Sequence, residues 1–226
     1  MTLDDAYAIQ GAWMAMKQRA GARRVGWKIG LTSRAMQSAL SIDVPDSGML
    51  LDSMAFANGA PIPRGRFIQP RIEAEIAFVM KAPLAGAGVS AAEILAATEY
   101  VAPAIEILDT RITRADPRSG RLRRVFDTVA DNAANGGVVL GAPVRYVQDL
   151  NLRWIGMIAM RDGTVEETGL GAGVLNDPLQ SVAWLVKRLA EFGGRIEAGQ
   201  VVLSGSFIRP VEAPPGSRIA CDFGGF

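Results

Sequence analysis

Apolar and polar positions alternate with a period of two over residues 24–32. Val25, Trp27, Ile29 and Leu31 fall on one side, and Gly26, Lys28 and Gly30 on the other, which predicts a strand. Lys28 then stands between two glycines, on a face that another molecule can approach closely. Before this strand the spacing is helical: Thr2 is placed to cap, Asp4 and Asp5 lie in the first turn, Ile9, Trp13 and Met16 mark the apolar face, and Gly21 ends the helix. A short helix over about residues 33–40 leads to a loop, Asp43-Val-Pro-Asp-Ser-Gly48. Residues 72–80 and 101–108 are apolar runs of strand length, the first broken by Glu73 and Glu75 and the second by Glu106. Between them, Ser90 and Glu93 have the spacing of a capping box, for a helix running to about Tyr100.

An arginine-rich loop, 109–124, follows the second run. Further on, Asp162-Gly163, flanked by residues 153–160 and 164–168, signals a hairpin. The strongest helical pattern covers 178–192. Asp177 caps it, Pro178 occupies the first turn, Leu179, Val182, Leu185, Val186 and Leu189 recur at helical spacing, and Gly193 lies beyond the end. Strands are predicted near 200–204 and 218–223. Strands and hairpins with few intervening helices define an α+β fold rather than a regular βαβ alternation. Its expected organisation is one catalytic domain, 1–226, with residues 1–40 as a small N-terminal helical lobe packed on it.

Composition narrows the chemistry. The 24 basic and 23 acidic residues nearly cancel, and nothing resembles the basic excess of a nucleic-acid binder. No apolar run reaches the roughly 18 residues that a membrane span needs, and the acidic start does not read as a signal peptide. Cys221 is the only cysteine, so no disulfide forms within the chain and a reducing cytoplasm is the expected setting. The chain has no histidine, which excludes a Ser-His-Asp triad, a Cys-His pair and a histidine zinc site built from this chain alone.

On a strand, Glu73 and Glu75 share one face. Two carboxylates side by side repel, and within apolar segments each is costly unless it meets a cation or hydrogen-bond donors. With Glu106 as a third oxygen donor they would suit Mg²⁺ or Mn²⁺. The plainer alternative puts Glu73 and Glu75 on a solvated strand face and makes Glu106 a satisfied core acid. By position alone, Lys28 is more often an edge or surface residue, and Asp46 more often just a turn residue. Gly169-Leu-Gly-Ala-Gly173 lacks the spacing of a dinucleotide loop and is not taken as one.

Several stretches together are more specific: Asp5-Ala-Tyr-Ala-Ile-Gln10, Gly26-Trp-Lys-Ile-Gly-Leu-Thr-Ser33, Pro45-Asp-Ser-Gly48, Pro70-Arg-Ile-Glu-Ala-Glu-Ile76, Pro103-Ala-Ile-Glu106, Phe126-Asp-Thr-Val-Ala-Asp-Asn-Ala133 and Gly199 to Gly205. They resemble the 2-oxopent-4-enoate hydratase and 4-oxalocrotonate decarboxylase group of the fumarylacetoacetate hydrolase superfamily, nearly end to end. The resemblance implies a mixed β-roll with flanking helices, a homo-oligomer, and Mg²⁺ held by Glu73, Glu75 and Glu106. It implies catalytic roles for Lys28, which would also touch substrate, and for Asp46. Residues 123–128, 149–154, 166–169 and 205–211 further resemble the hydratases of the group that act on a seven-carbon diacid. The implied reaction is addition of water to a 2-oxo-4-enoic acid in the catabolism of aromatic compounds, with decarboxylation as the nearest rival. Arg209, with Ser204 or Ser206, is the expected reader of the diacid's far carboxylate, because a guanidinium pairs with a carboxylate through two parallel hydrogen bonds. The alternative for Arg209 is a surface position beside Pro210. A non-catalytic subunit supporting a related enzyme is disfavoured by the intact Lys28 and glutamates.

Overall fold

A computed structural model describes the chain except residues 41, 43 and 146, and except the side chains of 36, 39 and 40. Of the loop expected from Asp43, that residue therefore lies outside the described part. The helices are α1 (Leu3–Arg19), α2 (Arg34–Leu40), α3 (Ala91–Ala97), α4 (Val125–Ala130) and α5 (Pro178–Ala190). The strands are β1 (Arg24–Gly30), β2 (Asp46–Leu51), β3 (Ala55–Phe56), β4 (Arg71–Met80), β5 (Thr98–Leu108), β6 (Asn135–Leu140), β7 (Gly156–Arg161), β8 (Thr164–Leu170), β9 (Val201–Leu203), β10 (Val211–Glu212) and β11 (Ile219–Asp222).

The main sheet runs β2-β1-β9-β4-β5-β6-β3, with β10 paired to β4; a second sheet runs β11-β7-β8. Pairing is mixed: β1 with β9 and β3 with β6 are parallel, the rest antiparallel. Three strand steps separate β1 from β5, about 14 Å in a flat sheet. Even so, Lys28 Nζ on β1 lies 3.4 Å from Glu106 Oε1 on β5. Side chains standing upright on a flat sheet would not meet over that span, so the sheet curls, and its concave face brings them together. This is the mixed roll expected.

Alternation along β4 divides its side chains between two environments. Ile72, Ala74, Ile76, Phe78 and Met80 enter the principal core with Ile94 of α3, Val182, Leu185 and Val186 of α5, and Met157 of β7. Glu73, Glu75 and Ala77 face the other way. There Ala77 joins a small apolar floor with Leu50, Ala104, Val138 and Leu203. The helix α5 forms as expected: Asp177 accepts from the Leu179 N–H, Pro178 sits in the first turn, and Val182, Leu185 and Val186 are buried.

Three expectations are corrected. First, α1 has its Thr2–Asp5 capping box, but Ile9 and Met16 are exposed, and the buried face is Ala6, Gln10 and Met14. A polar residue points inward because Gln10 Nε2 donates to the carbonyls of Ser47 and Val129, both at 2.9 Å. Second, Asp46, Ser47 and Gly48 begin β2 rather than forming a turn, with Asp46 opposite Gly30 and Gly48 opposite Lys28. Gly48 is required there, since a Cβ would press on the Asn132 carbonyl. Third, the helix after Ser90 ends at Ala97, and Tyr100 already belongs to β5.

Candidate active site

The antiparallel register of β4 and β5 sets Glu73 directly opposite Glu106, and Glu75 opposite Ala104. Each of the three glutamates offers a carboxylate oxygen within 4.8 Å of the others. Glu75 and Glu106 are fully buried. From the far side of the curled sheet comes Lys28, also buried, 3.4 Å from Glu106 and 4.0 Å from Asp46 Oδ1. Gly30 makes room for this contact, because a Cβ there would collide with the Asp46 carboxylate and the Lys28 ammonium. Structure thus brings Lys28, Asp46, Glu73, Glu75 and Glu106 into one cluster.

Four carboxylates against one ammonium leave three negative charges uncompensated if all ionise. The titration of each group reflects this. Burial, then Glu106, pushes Glu73 up to about 8. Burial with the charges of Glu106 and Glu73 raises Glu75 well above the ordinary carboxylate range. Burial also raises Glu106 and Asp46, with Lys28 acting in the opposite direction on both. For Lys28 burial works against the charge, yet Glu106, Asp46, Glu73 and Glu75 outweigh it and hold the ammonium above its usual range.

Glu75 Oε1, both oxygens of Glu106 and Asp46 Oδ1 are buried without a hydrogen-bond partner among the described residues. Such orphaned oxygens cost free energy unless a donor or cation meets them. An all-oxygen set of three carboxylates fits a hard divalent cation such as Mg²⁺ or Mn²⁺. Glu75 Oε2 accepts a hydrogen bond from the Gly205 N–H at 2.7 Å, which orients the carboxylate. Gly205 has φ of +114° and abuts Thr32, so only glycine fits. The sequence marked this segment but not its backbone N–H.

The remaining expected residues are placed differently. Ser204 is buried beside Gly205, and its hydroxyl has no hydrogen-bond partner among the described residues. Ser206 Oγ is engaged with Ile208, donating to its carbonyl and accepting from its N–H. Arg209 is 76% exposed and its guanidinium pairs with Glu167 on β8, so it is not a member of the buried cluster. Two residues not singled out from sequence hold β2 in place: the Tyr7 hydroxyl accepts from the Ser47 N–H at 3.0 Å, and Gln10 takes the Ser47 carbonyl. Both lie in the Asp5–Gln10 stretch, and a polar residue recurring at helical spacing was the available signal.

Known proteins with this curled mixed sheet include fumarylpyruvate hydrolase from Pseudomonas aeruginosa, solved with Mn²⁺ and pyruvate (TM-score 0.65, 14% identity, covering 88% of this chain and 84% of that one). At that identity the likeness is one of fold alone. Much nearer is 4-oxalocrotonate decarboxylase from Pseudomonas putida G7, solved with magnesium and adipate (TM-score 0.90, 35% identity, covering 98% of this chain and 82% of that one). In sequence, the chain is 49% identical over 224 residues to 2-oxo-hept-4-ene-1,7-dioate hydratase of Escherichia coli, covering 99% of this chain and 84% of that protein. It is 40% identical over 220 residues to 2-hydroxyhexa-2,4-dienoate hydratase of Comamonas testosteroni, covering 96% of this chain and 81% of that protein. No family model matches the chain. The chain belongs to the family of these 2-oxo-4-enoate hydratases and 4-oxalocrotonate decarboxylases, and its fold is that of fumarylacetoacetate hydrolase family proteins.

Proposed function

We propose that this protein is a Mg²⁺-dependent hydro-lyase that adds water to a 2-oxo-4-enoic acid, the seven-carbon 2-oxo-hept-4-ene-1,7-dioate, in the breakdown of aromatic compounds. The observation that carries this reading is the Glu73–Glu75–Glu106 triad, with Glu75 and Glu106 buried and Glu73 partly so, gathered beside Lys28 and Asp46. The identity of 49% to a hydratase of that diacid supports the substrate.

Glu73, Glu75 and Glu106 would hold Mg²⁺, or Mn²⁺ in its place. A cation there would supply Lewis acidity, drawing electron density from the 2-oxo carboxylate end of the substrate. The protein's own groups then handle protons. In the dienol form, the proton leaving the 2-hydroxyl is balanced by one delivered to C5, giving an enone. Water adds its oxygen at C4, and its proton completes C3, giving 4-hydroxy-2-oxoheptanedioate. Without histidine, Lys28 and Asp46 are the groups within reach to give and take these protons, separated by 4.0 Å. With their charge taken up by such a cation, the glutamates would hold the Lys28 proton less strongly. Ser204, whose buried hydroxyl has no partner among the described residues, would bind substrate. For Arg209 to read the far carboxylate, substrate would have to replace Glu167 on its guanidinium; Ser206 would first have to leave Ile208.

The cluster draws on residues from Lys28 to Gly205, so residues 1–226 act as one catalytic unit, with α1 of the N-terminal lobe braced on β2. The protein is read as a cytoplasmic homo-oligomer, with exposed Ile9, Met16, Trp154 and Phe192 among the apolar residues available for contact between copies. Among the described residues no helix is long and apolar enough to cross a membrane. The test is mass analysis of the products after incubation with Mg²⁺ and the seven-carbon dienol. Gain of water supports the hydratase; loss of CO₂ assigns the chain to the decarboxylases of its group.

A further inference from the structure

The strand β2 ends the main sheet, so among the described residues no strand pairs its outer edge. Side chains take that place. At Ser47 the N–H donates to the Tyr7 hydroxyl at 3.0 Å, and the carbonyl accepts from Gln10 Nε2 at 2.9 Å. Two residues on, a single side chain meets both backbone groups of Met49. The Met49 N–H donates to Asn132 Oδ1 at 2.8 Å, and its carbonyl accepts from Asn132 Nδ2 at 2.9 Å. The Asn132 amide thus does for β2 what an adjacent strand would do. Asn132 is fully buried, and its carbonyl packs on Gly48, which lies opposite Lys28 on the face that Asp46 shares. It reaches this place through an unusual backbone. Asn132, Ala133 and Ala134 have left-handed φ of +53°, +52° and +58°, unfavourable for any residue with a Cβ and least so for Asn. Such a run persists only where its surroundings fix it. Arg111 donates from Nε to Asp131 Oδ1 and from Nη2 to the Asp131 carbonyl, both at 2.6 Å, and from Nη1 to the Asn135 carbonyl at 3.0 Å. The Asp109 N–H closes the turn on the Ala134 carbonyl at 2.8 Å.

We infer that Asn132 is a positioning residue for the Lys28–Asp46 pair, acting through β2 and separable from the metal site. Glu73, Glu75 and Glu106 stand on β4 and β5, whereas Asp46 stands on β2, three residues from Met49. The 4.0 Å between Lys28 and Asp46 is set by where β2 lies against β1. Without the Asn132 amide both groups of Met49 lose their partner, and β2 shifts while the pairing of β4 with β5 stays. A misplacement of about 1 Å at groups that pass protons costs up to about a hundredfold in rate. The inference rests on the proposed function for the roles of Lys28 and Asp46.

The test compares Asn132→Ala and Asn132→Gly with the wild type. Both remove the two bonds to Met49, and glycine relieves the left-handed backbone, which keeps a folded variant in hand if alanine does not fold. Calorimetric titration with Mn²⁺ counts intact sites, and kcat and KM for the seven-carbon dienol are taken per intact site. Both variants should lose about tenfold to a hundredfold in kcat, with KM and Mn²⁺ affinity at wild-type values. Full kcat in Asn132→Gly, a change confined to KM, or Mn²⁺ affinity falling in step with the rate overturns the inference. If the wild type hydrates no dienol, the proposed function fails, and amide hydrogen exchange decides whether Asn132 holds β2. Faster exchange at Met49 and along β2 in Asn132→Gly, with β4 and β5 still protected, would then uphold it, and unchanged exchange would reject it.

Discussion

Glu73 and Glu75 project from one face of β4, and the register with β5 adds Glu106 opposite the first of them. Lys28 closes the cluster from a strand three places away in the sheet. Its ammonium is the only cation within ion-pair distance of Asp46 or Glu106 among the described residues. Lys28→Met should therefore lower kcat by about a hundredfold or more, the scale for losing a positioned proton carrier. Mn²⁺ binding should persist, measured on the same preparation by calorimetry; retained turnover in this variant would place Lys28 outside the chemistry. At this scale the sequence was informative where chemistry conflicts with environment. Acids inside apolar strands stand out because burying them is costly. Asp46 did not stand out from a turn, because Pro45-Asp-Ser-Gly48 has turn composition and only pairing with β1 makes it a strand. Arg209 was singled out by resemblance, and no local pattern could show that Glu167 occupies it.

Among the elements, α1 shows how a correct helix can be assigned the wrong face. Its apolar Ile9 and Met16 face outward, while Gln10 is buried between two strand and helix carbonyls. Period and capping define a helix, but the buried face depends on what lies opposite, here the backbone carbonyls of Ser47 and Val129. Removing that amide leaves both acceptors buried. Gln10→Leu should cost about 1–3 kcal/mol of stability, read by urea denaturation, and should lower activity further by releasing Ser47 next to Asp46. A variant as stable and active as wild type would show that α1 does not brace β2. The strand β6 was not marked from sequence, because Asn135-Gly-Gly137 begins it and glycine weakens any strand signal. It forms nonetheless, since β5 offers a free edge, and small residues are needed where Phe56 and Asp109 crowd Gly137 and Gly136. The roll itself was legible through resemblance; alternation alone yields strands, not their order, which long-range pairing such as β1 with β9 decides.

For the whole molecule, the concentration of buried carboxylates links stability, pH and metal. Glu73 is pushed up to about 8, and Glu75 and Glu106 are also raised above their ordinary range. Carboxylates raised on folding contribute stability below the unfolded value of about 4.3 and lose it as pH rises through the folded value. Metal-free protein should therefore lose this contribution progressively up to about pH 8. Mg²⁺ should restore it, because the cation binds the deprotonated triad. The rise in Tm on adding Mg²⁺ is expected to be larger near pH 8.5 than near pH 6; a shift independent of pH would mean that the triad is not where the metal binds. The most direct test follows Mn²⁺ binding and hydration rate together in wild type, Glu73→Gln, Glu75→Gln and Glu106→Gln. The account predicts one tightly held ion per chain in the wild type. Each glutamine variant, still folded because a repulsion has been relieved, should lose at least about tenfold in affinity and fall in rate with it. Any one of the three variants that keeps both full metal affinity and full hydration rate would contradict it.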